Sequence, residues 1–165
     1  MEISALMTLA LGAAWASGLN LYAAAAALGI LGATGQMDLP PDMQILAHPA
    51  MIGVAALLYC VEFFADKLPG IDSTWDAIHS FIRIPAGAVL AAAAMGDVGF
   101  GAQALAFLLG GGVAAATHAV KAGSRIMINT SPEPFSNWGA SVAEDGLAIG
   151  GITLAVFHPV GFLLL

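Results

Sequence analysis

Apolar residues fill this chain in long stretches, and its polar positions gather in a few short breaks. Ile3 to Met37 carries no formally charged side chain. A straight helix of that length, at about 1.5 Å per residue, would overshoot a hydrocarbon core about 30 Å thick. The pattern therefore predicts a broken or doubled first helix. The break falls at Ser17-Gly18-Leu19-Asn20, because Gly and Asn are poor helix-interior residues. Leu39-Pro40-Pro41-Asp42 reads as a loop. A second span is expected from Met43 to Asp66, followed by a loop at Lys67-Leu68-Pro69-Gly70-Ile71-Asp72. A third runs from Ser73 to Met95. Gly96-Asp97-Val98-Gly99 is a short turn, and a fourth span begins at Phe100, reaches Val120 and continues past Arg125. Asn129 to Asn137 is a polar loop. The last span starts near Trp138, with a kink or frayed end at His158-Pro159.

Composition turns these helices into membrane spans. The chain has 165 residues, 59 % of them hydrophobic and only 9 % charged, against about 25 % charged in a soluble domain. So few charges cannot cover the surface of a small soluble fold. The expected fold is all-α: a polytopic transmembrane bundle of about five spans, a single domain over residues 1–165, with the lipid bilayer as its surroundings. Runs such as Ala23 to Ala27, Ala91 to Ala94 and Gly110 to Gly112 suit close helix packing in lipid, within one chain or a homo-oligomer. The net charge of −7 gives no reason to expect nucleic acid as a partner. The start, Met1-Glu2-Ile3, lacks the basic region of a cleavable signal peptide. The single cysteine, Cys60, reads as a small core residue.

All four basic residues lie between positions 67 and 125. Lys67 follows the second span, and Lys121 and Arg125 follow the fourth, so they share one side. The positive-inside rule assigns that side to the cytoplasm, which makes this a multi-pass inner-membrane protein with cytoplasmic charged loops.

The main functional signal is charge at membrane depth, which costs several kcal/mol and usually faces a protein interior or a polar cavity. Glu62 and Asp66 are spaced i, i+4. Asp76, His79 and Arg83 are spaced i, i+3, i+7, and so are His118, Lys121 and Arg125. Each set shares one helix face. Glu144 and Asp145 sit about two turns beyond Trp138. A faint internal repeat aligns Val54-Ala55-Ala56 with Val113-Ala114-Ala115, which sets Glu62 on Lys121 and Asp66 on Arg125, and brings Arg83 close to Glu144 and Asp145. Repeats are common in transporter folds. The register predicts ion pairs of Glu62 and Asp66 with Lys121 and Arg125, and of Arg83 with Glu144 or Asp145.

Other positions add less. In the polar loop, Asn129, Glu133 and Asn137 could fold back toward the charges. Trp75 and Trp138 suit interfacial anchoring. The carboxylates leave room for a divalent cation as cofactor, and His79 and His118 could join a metal site, although a hydrogen-bonded interior histidine is the simpler reading. No phosphate-binding loop, zinc-protease motif or nucleophile elbow is present.

Three strings carry a resemblance: Ser17-Gly18-Leu19-Asn20-Leu21-Tyr22, then Val61-Glu62-Phe63-Phe64-Ala65-Asp66-Lys67 with Trp75-Asp76, then Asn129 through Trp138. Together they resemble an uncharacterised bacterial family of small multi-pass integral membrane proteins, a domain of unknown function. The resemblance implies a membrane fold and no particular activity.

The expected function is a small transporter or channel for a cation or proton. Glu62, Asp66, Glu144 and Asp145 would bind or relay the ion. Asp76, His79, Arg83, His118, Lys121 and Arg125 would supply counter-charge and gating. The alternatives are a membrane-embedded metal-dependent enzyme acting on a lipid headgroup, and a structural subunit whose charges only fix helix register.

Overall fold

The computed structural model describes residues 2–68, 70–130 and 135–164, which are helical apart from short connections, with no strand among them. The helices are α1 (Ile3–Ala33), α2 (Pro49–Ala65), α3 (Ile71–Ala94), α4 (Phe100–Ile128), α5 (Phe135–Phe157) and the short α6 (Pro159–Leu163). Single 3-10 segments cover Pro41–Ala47 and Gly96–Val98. Among the described residues four helices, α1 counted as one, are long and apolar enough to cross a membrane, and a fifth is added if the bent pair Pro41–Ala47 with Pro49–Ala65 is one span.

The elements follow the apolar pattern with local corrections. The second span begins at Pro49 rather than Met43. His48-Pro49 bends the chain by 67°, because Pro fixes its own φ and starts a helix well while opposing helix in the residue before it. His48 caps α2, its Nδ1 accepting from Ala50 N–H at 3.2 Å. His158-Pro159 ends α5 in the same way. Gly70 and Gly99, at φ +86° and +117°, sit at turns that a residue with a Cβ would strain.

The break in α1 lies at Asn20, whose φ −150° and ψ 98° are extended rather than helical. Its consequence is larger than a kink. On α5, Asp145, Gly151 and Ala155 meet Asn20, Trp15 and Gly12 in turn. The segment after the break lies over the same stretch of α5. Ala23, Ala27 and Leu31 share a groove with Ile149 and Thr153, and with Tyr59 of α2. Gly29 packs on Leu46 and Ile52. Both arms of α1 therefore run from Asn20 toward one end of the bundle, where Met7 meets Met95 and Val98 and Asp42 lies beside Gly96 and takes a hydrogen bond from Gln103 at 3.3 Å. α1 is a re-entrant hairpin around which α2 to α5 pack up and down. The first arm, residues 3–19, is about 26 Å long at the helical rise, so its tip reaches deep into the apolar layer.

The bundle is inside-out. Leu57, Phe64, Phe81, Leu108 and Val120 are exposed, whereas Arg83, Lys121 and Arg125 are among the largest fully buried side chains. Water would penalise that distribution and lipid rewards it. Cys60 shares the exposed outer face of α2 and is not a core residue. An apolar run in lipid has no inside to prefer, so hydrophobicity alone did not orient it.

Small residues set the helix spacing. A Cβ on Gly18 would stand 2.6 Å from Ala114 O and 2.7 Å from Thr117 Cβ, whereas one on Gly112 would meet nothing within 4 Å. Gly18→Ala is expected to cost about 1–3 kcal/mol through overpacking, and Gly112→Ala to be neutral or slightly stabilising. Thermal unfolding of both variants in detergent checks this contrast; equal midpoints would refute it.

Candidate functional site

The site starts from the broken backbone. At Asn20 the chain leaves the helix, so Ala23 N–H no longer bonds to Leu19 O. Asn20 Oδ1 takes that N–H at 2.9 Å and caps the second arm, as an N-cap Asn does for the third residue of a helix. Its Nδ2 donates to Asp145 Oδ1 at 2.9 Å. The freed Leu19 carbonyl accepts from Lys121 Nζ at 3.0 Å. One asparagine thus exposes a backbone oxygen at the tip of the hairpin, and a lysine from α4 satisfies it.

Lys121 is the hub of a buried ionic network. Its Nζ lies 3.0 Å from Asp66 Oδ2 and 3.5 Å from each of Glu62 Oε1, Asp76 Oδ1 and Glu144 Oε2. Arg125 donates to both oxygens of Glu144, at 3.1 and 2.6 Å. It also reaches Asp66 Oδ2 at 3.3 Å and the carbonyls of Asp66 and Asn137 at 3.0 and 3.1 Å. Arg83 bridges Glu62 at 2.7 Å and Asp76 at 2.9 Å. These side chains are buried, and three of their carboxylate oxygens, Glu62 Oε2, Asp66 Oδ1 and Asp76 Oδ2, have no hydrogen-bond partner among the described residues. With Asp145 there are five carboxylates, and with Lys67, which faces Asp145 and Asp66 from the rim, four cations, so full ionisation leaves the group negative by one.

The pairing of Glu62 and Asp66 with Lys121 and Arg125 is as expected: Lys121 takes both acids and Arg125 takes Asp66. The expected partner for Arg83 is wrong. It bonds Glu62 and Asp76 and not Glu144 or Asp145, for a geometric reason. Asp76 lies two turns away on the same face of α3, while Glu144 already holds the fork of Arg125 and Asp145 is held by Asn20 and Tyr59. A register of residues cannot weigh that competition.

His79 and His118 lie in the interior and are hydrogen-bonded. His79 Nδ1 donates to Trp75 O at 2.9 Å, since a carbonyl only accepts, and Nε2 meets Tyr22 OH at 3.1 Å. The Trp75 ring stacks on His79 with centroids 4.1 Å apart. His118 lies 2.6 Å from Ser80 Oγ and 3.3 Å from Arg83 Nη1. Among the described residues no group of three or more His, Cys, Asp and Glu side chains is arranged to hold a metal ion.

Two residues expected in the polar loop lie at helix ends beside the charges: Asn129 closes α4, and Asn137 sits within α5, which starts at Phe135 rather than near Trp138. Asn137 Oδ1 accepts from Arg125 at 3.3 Å, and Asn137 Nδ2 donates to Asn129 Oδ1 at 2.7 Å. Asn129 in turn donates to both oxygens of Asp72, at 3.0 and 2.9 Å, and to Ser73. Glu133 lies outside the described residues. Trp138 Nε1 donates to Lys67 O at 3.2 Å. Lys67 itself sits over the Phe63 ring and donates to Phe63 O and Ser141 Oγ. Partial burial pushes its ammonium below the usual lysine range, against the attraction of Asp145 and Asp66.

Sequence reasoning missed Asn20, Leu19 O, Tyr22 and Tyr59 as members of the site. Asn20 was legible only as a helix breaker. An amide within so apolar a stretch also needs a partner, and that need is the signal that could have found it.

Residues 7–165 match a protein-family model described as a domain of unknown function (DUF4126). No curated protein matches the chain, and no solved structure does.

Proposed function

Because the chain belongs to the DUF4126 family, which lends it no activity, we propose from its own residues that it is a small membrane transporter or channel for a cation or proton. The observation that carries this reading is the joining of two features at one point. A re-entrant helix breaks inside the apolar layer, and the broken tip touches a buried network with surplus carboxylate. Discontinuous helices supply free carbonyls for ions near the middle of a bilayer, and irregular backbone survives there only where protein or a polar path receives it. Ionisable residues at that depth commonly mark ion or proton routes.

In this reading Glu62, Asp66, Glu144 and Asp145 bind or relay the ion. Arg83, Lys121 and Arg125, with Asp76 and His118, supply counter-charge and gating. His79 and Tyr22 form a side branch reaching the tip of the hairpin. Asn129 and Asn137 brace the network beneath the Lys67 end, which the basic residues assign to the cytoplasm of an inner membrane. The exposed apolar faces leave room for lipid or a second copy of the chain.

Purified protein in liposomes tests the proposal. Cation or proton flux is expected from the wild type, with Glu62→Gln reducing it at least tenfold, because the amide keeps the shape but cannot carry the charge. Folded wild type that is silent across a panel of protons and alkali cations would overturn the reading. Undiminished flux in Glu62→Gln would remove the carboxylate path.

A further inference from the structure

Lys121 fills a cage that is itself a cation site. Its Nζ is surrounded by five oxygens from four helices: Leu19 O of α1, Glu62 Oε1 and Asp66 Oδ2 of α2, Asp76 Oδ1 of α3 and Glu144 Oε2 of α5, all at 3.0–3.5 Å. An ammonium has only three N–H donors. The cage therefore offers more oxygens than the side chain can bond, and Glu62, Asp66 and Asp76 each keep a second oxygen without a partner among the described residues. One backbone carbonyl among carboxylates is the donor set of a hard cation, and the carbonyl is available only because Asn20 breaks α1.

We propose that this cage is the binding site of the transported ion, a large monovalent cation of the ammonium or potassium class, and that the Lys121 ammonium is its built-in competitor. Size and charge both select that class. Magnesium and calcium need oxygens at about 2.0–2.6 Å, closer than any here, so the cage would have to contract on them. The two closest oxygens, at 3.0 Å, stand at the distance an N–H donor keeps from its acceptor, which fits ammonium or a cation of its size once the other three close in, and a single positive charge replaces the ammonium without changing the balance of the buried network. When the lysine swings out the ion enters, and when the ion leaves the lysine returns. The carboxylates are then never left uncompensated in low dielectric, where an unpaired charge costs most. This inference rests on the transport reading and names the ion's place within it.

The test removes the competitor. Lys121→Ala, purified in detergent, is compared with wild type by thermal unfolding in potassium, rubidium, sodium, ammonium and ethylammonium chlorides, with choline chloride holding ionic strength constant. In choline the variant is expected to melt below wild type. Potassium, rubidium or ammonium should restore it by several degrees with a saturating dose response, at concentrations at least tenfold below any that shift the wild type. A folded variant that responds no better to these ions than to choline would overturn the proposal.

Should Lys121→Ala not fold, radioactive rubidium binding is measured on wild type and Lys121→Arg, whose guanidinium keeps the charge but grips the acids in a fixed fork. Binding is expected to fall at least tenfold in Lys121→Arg; equal binding in the two, or none in wild type, overturns the proposal. The two failures separate cleanly. Flux in liposomes with a cation-blind cage would remove this inference alone, and a cation-responsive cage without flux would remove the transport reading.

Discussion

Arg125→Met should destabilise the protein by about 3–5 kcal/mol, the cost of breaking a buried ion pair from one side. Arg125 holds both oxygens of Glu144 and one of Asp66, and it also satisfies the carbonyls of Asp66 and Asn137. Methionine replaces the aliphatic stem but has no donor, so Glu144 would keep only the 3.5 Å contact with Lys121. Removing the acid as well, in Arg125→Met with Glu144→Met, should cost less than the single change, because two groups that meet in low dielectric leave together. Equilibrium unfolding in mixed micelles, read as a double-mutant cycle, checks both statements. A double variant as unstable as the sum of the two singles would show that Arg125 and Glu144 do not act as a pair.

Asn20→Leu should be the next most damaging change, at about 2–4 kcal/mol. The cap on the second arm is worth about 1 kcal/mol, and Asp145 loses a buried donor, at about 1–3 kcal/mol. The change also favours a continuous helix through residue 20, since leucine is a good helix former and asparagine is not. Straightening would return Leu19 O to Ala23 N–H and take it from Lys121. Asn20→Ser keeps an oxygen for the cap and loses the donor to Asp145, so it should fall between the two. Spin labels at Ile3 and Ile30, both exposed, report the shape directly after Cys60→Ser. They should give one narrow distance in the wild-type background and a longer or broader one in Asn20→Leu. An unchanged distance would mean that packing of α2 to α5, and not Asn20, holds the hairpin.

The same residue marks how far the sequence could be read. The apolar run from Ile3 to Met37 was too long for one crossing, so a break near Ser17 to Asn20 was required by length and propensity. Length said nothing about the angle. Only the meeting of Gly12 and Trp15 with the same half of α5 that the second arm overlies shows that the chain turns back. The charge spacings likewise fixed which side chains share a helix face, so the convergence of Glu62, Asp66, Lys121 and Arg125 could be anticipated. Arg83 was assigned to the wrong acids because two helix faces with matching charges do not say which pair comes closest.

The sequence by itself determined the solvent, the number of apolar helices, their breaks at Pro and Gly, and which residues could not face lipid. These are local or additive properties: an apolar residue prefers hydrocarbon and a proline lacks its N–H wherever the chain goes. The tertiary structure decided that the first helix re-enters, that a freed carbonyl meets a lysine from α4, and that Asn20 and Tyr59 rather than an arginine hold Asp145. Those outcomes depend on competition among partners brought together from distant positions. Distance and burial settle such competition, because the energy of a charge pair varies with both, and neither is written along a chain.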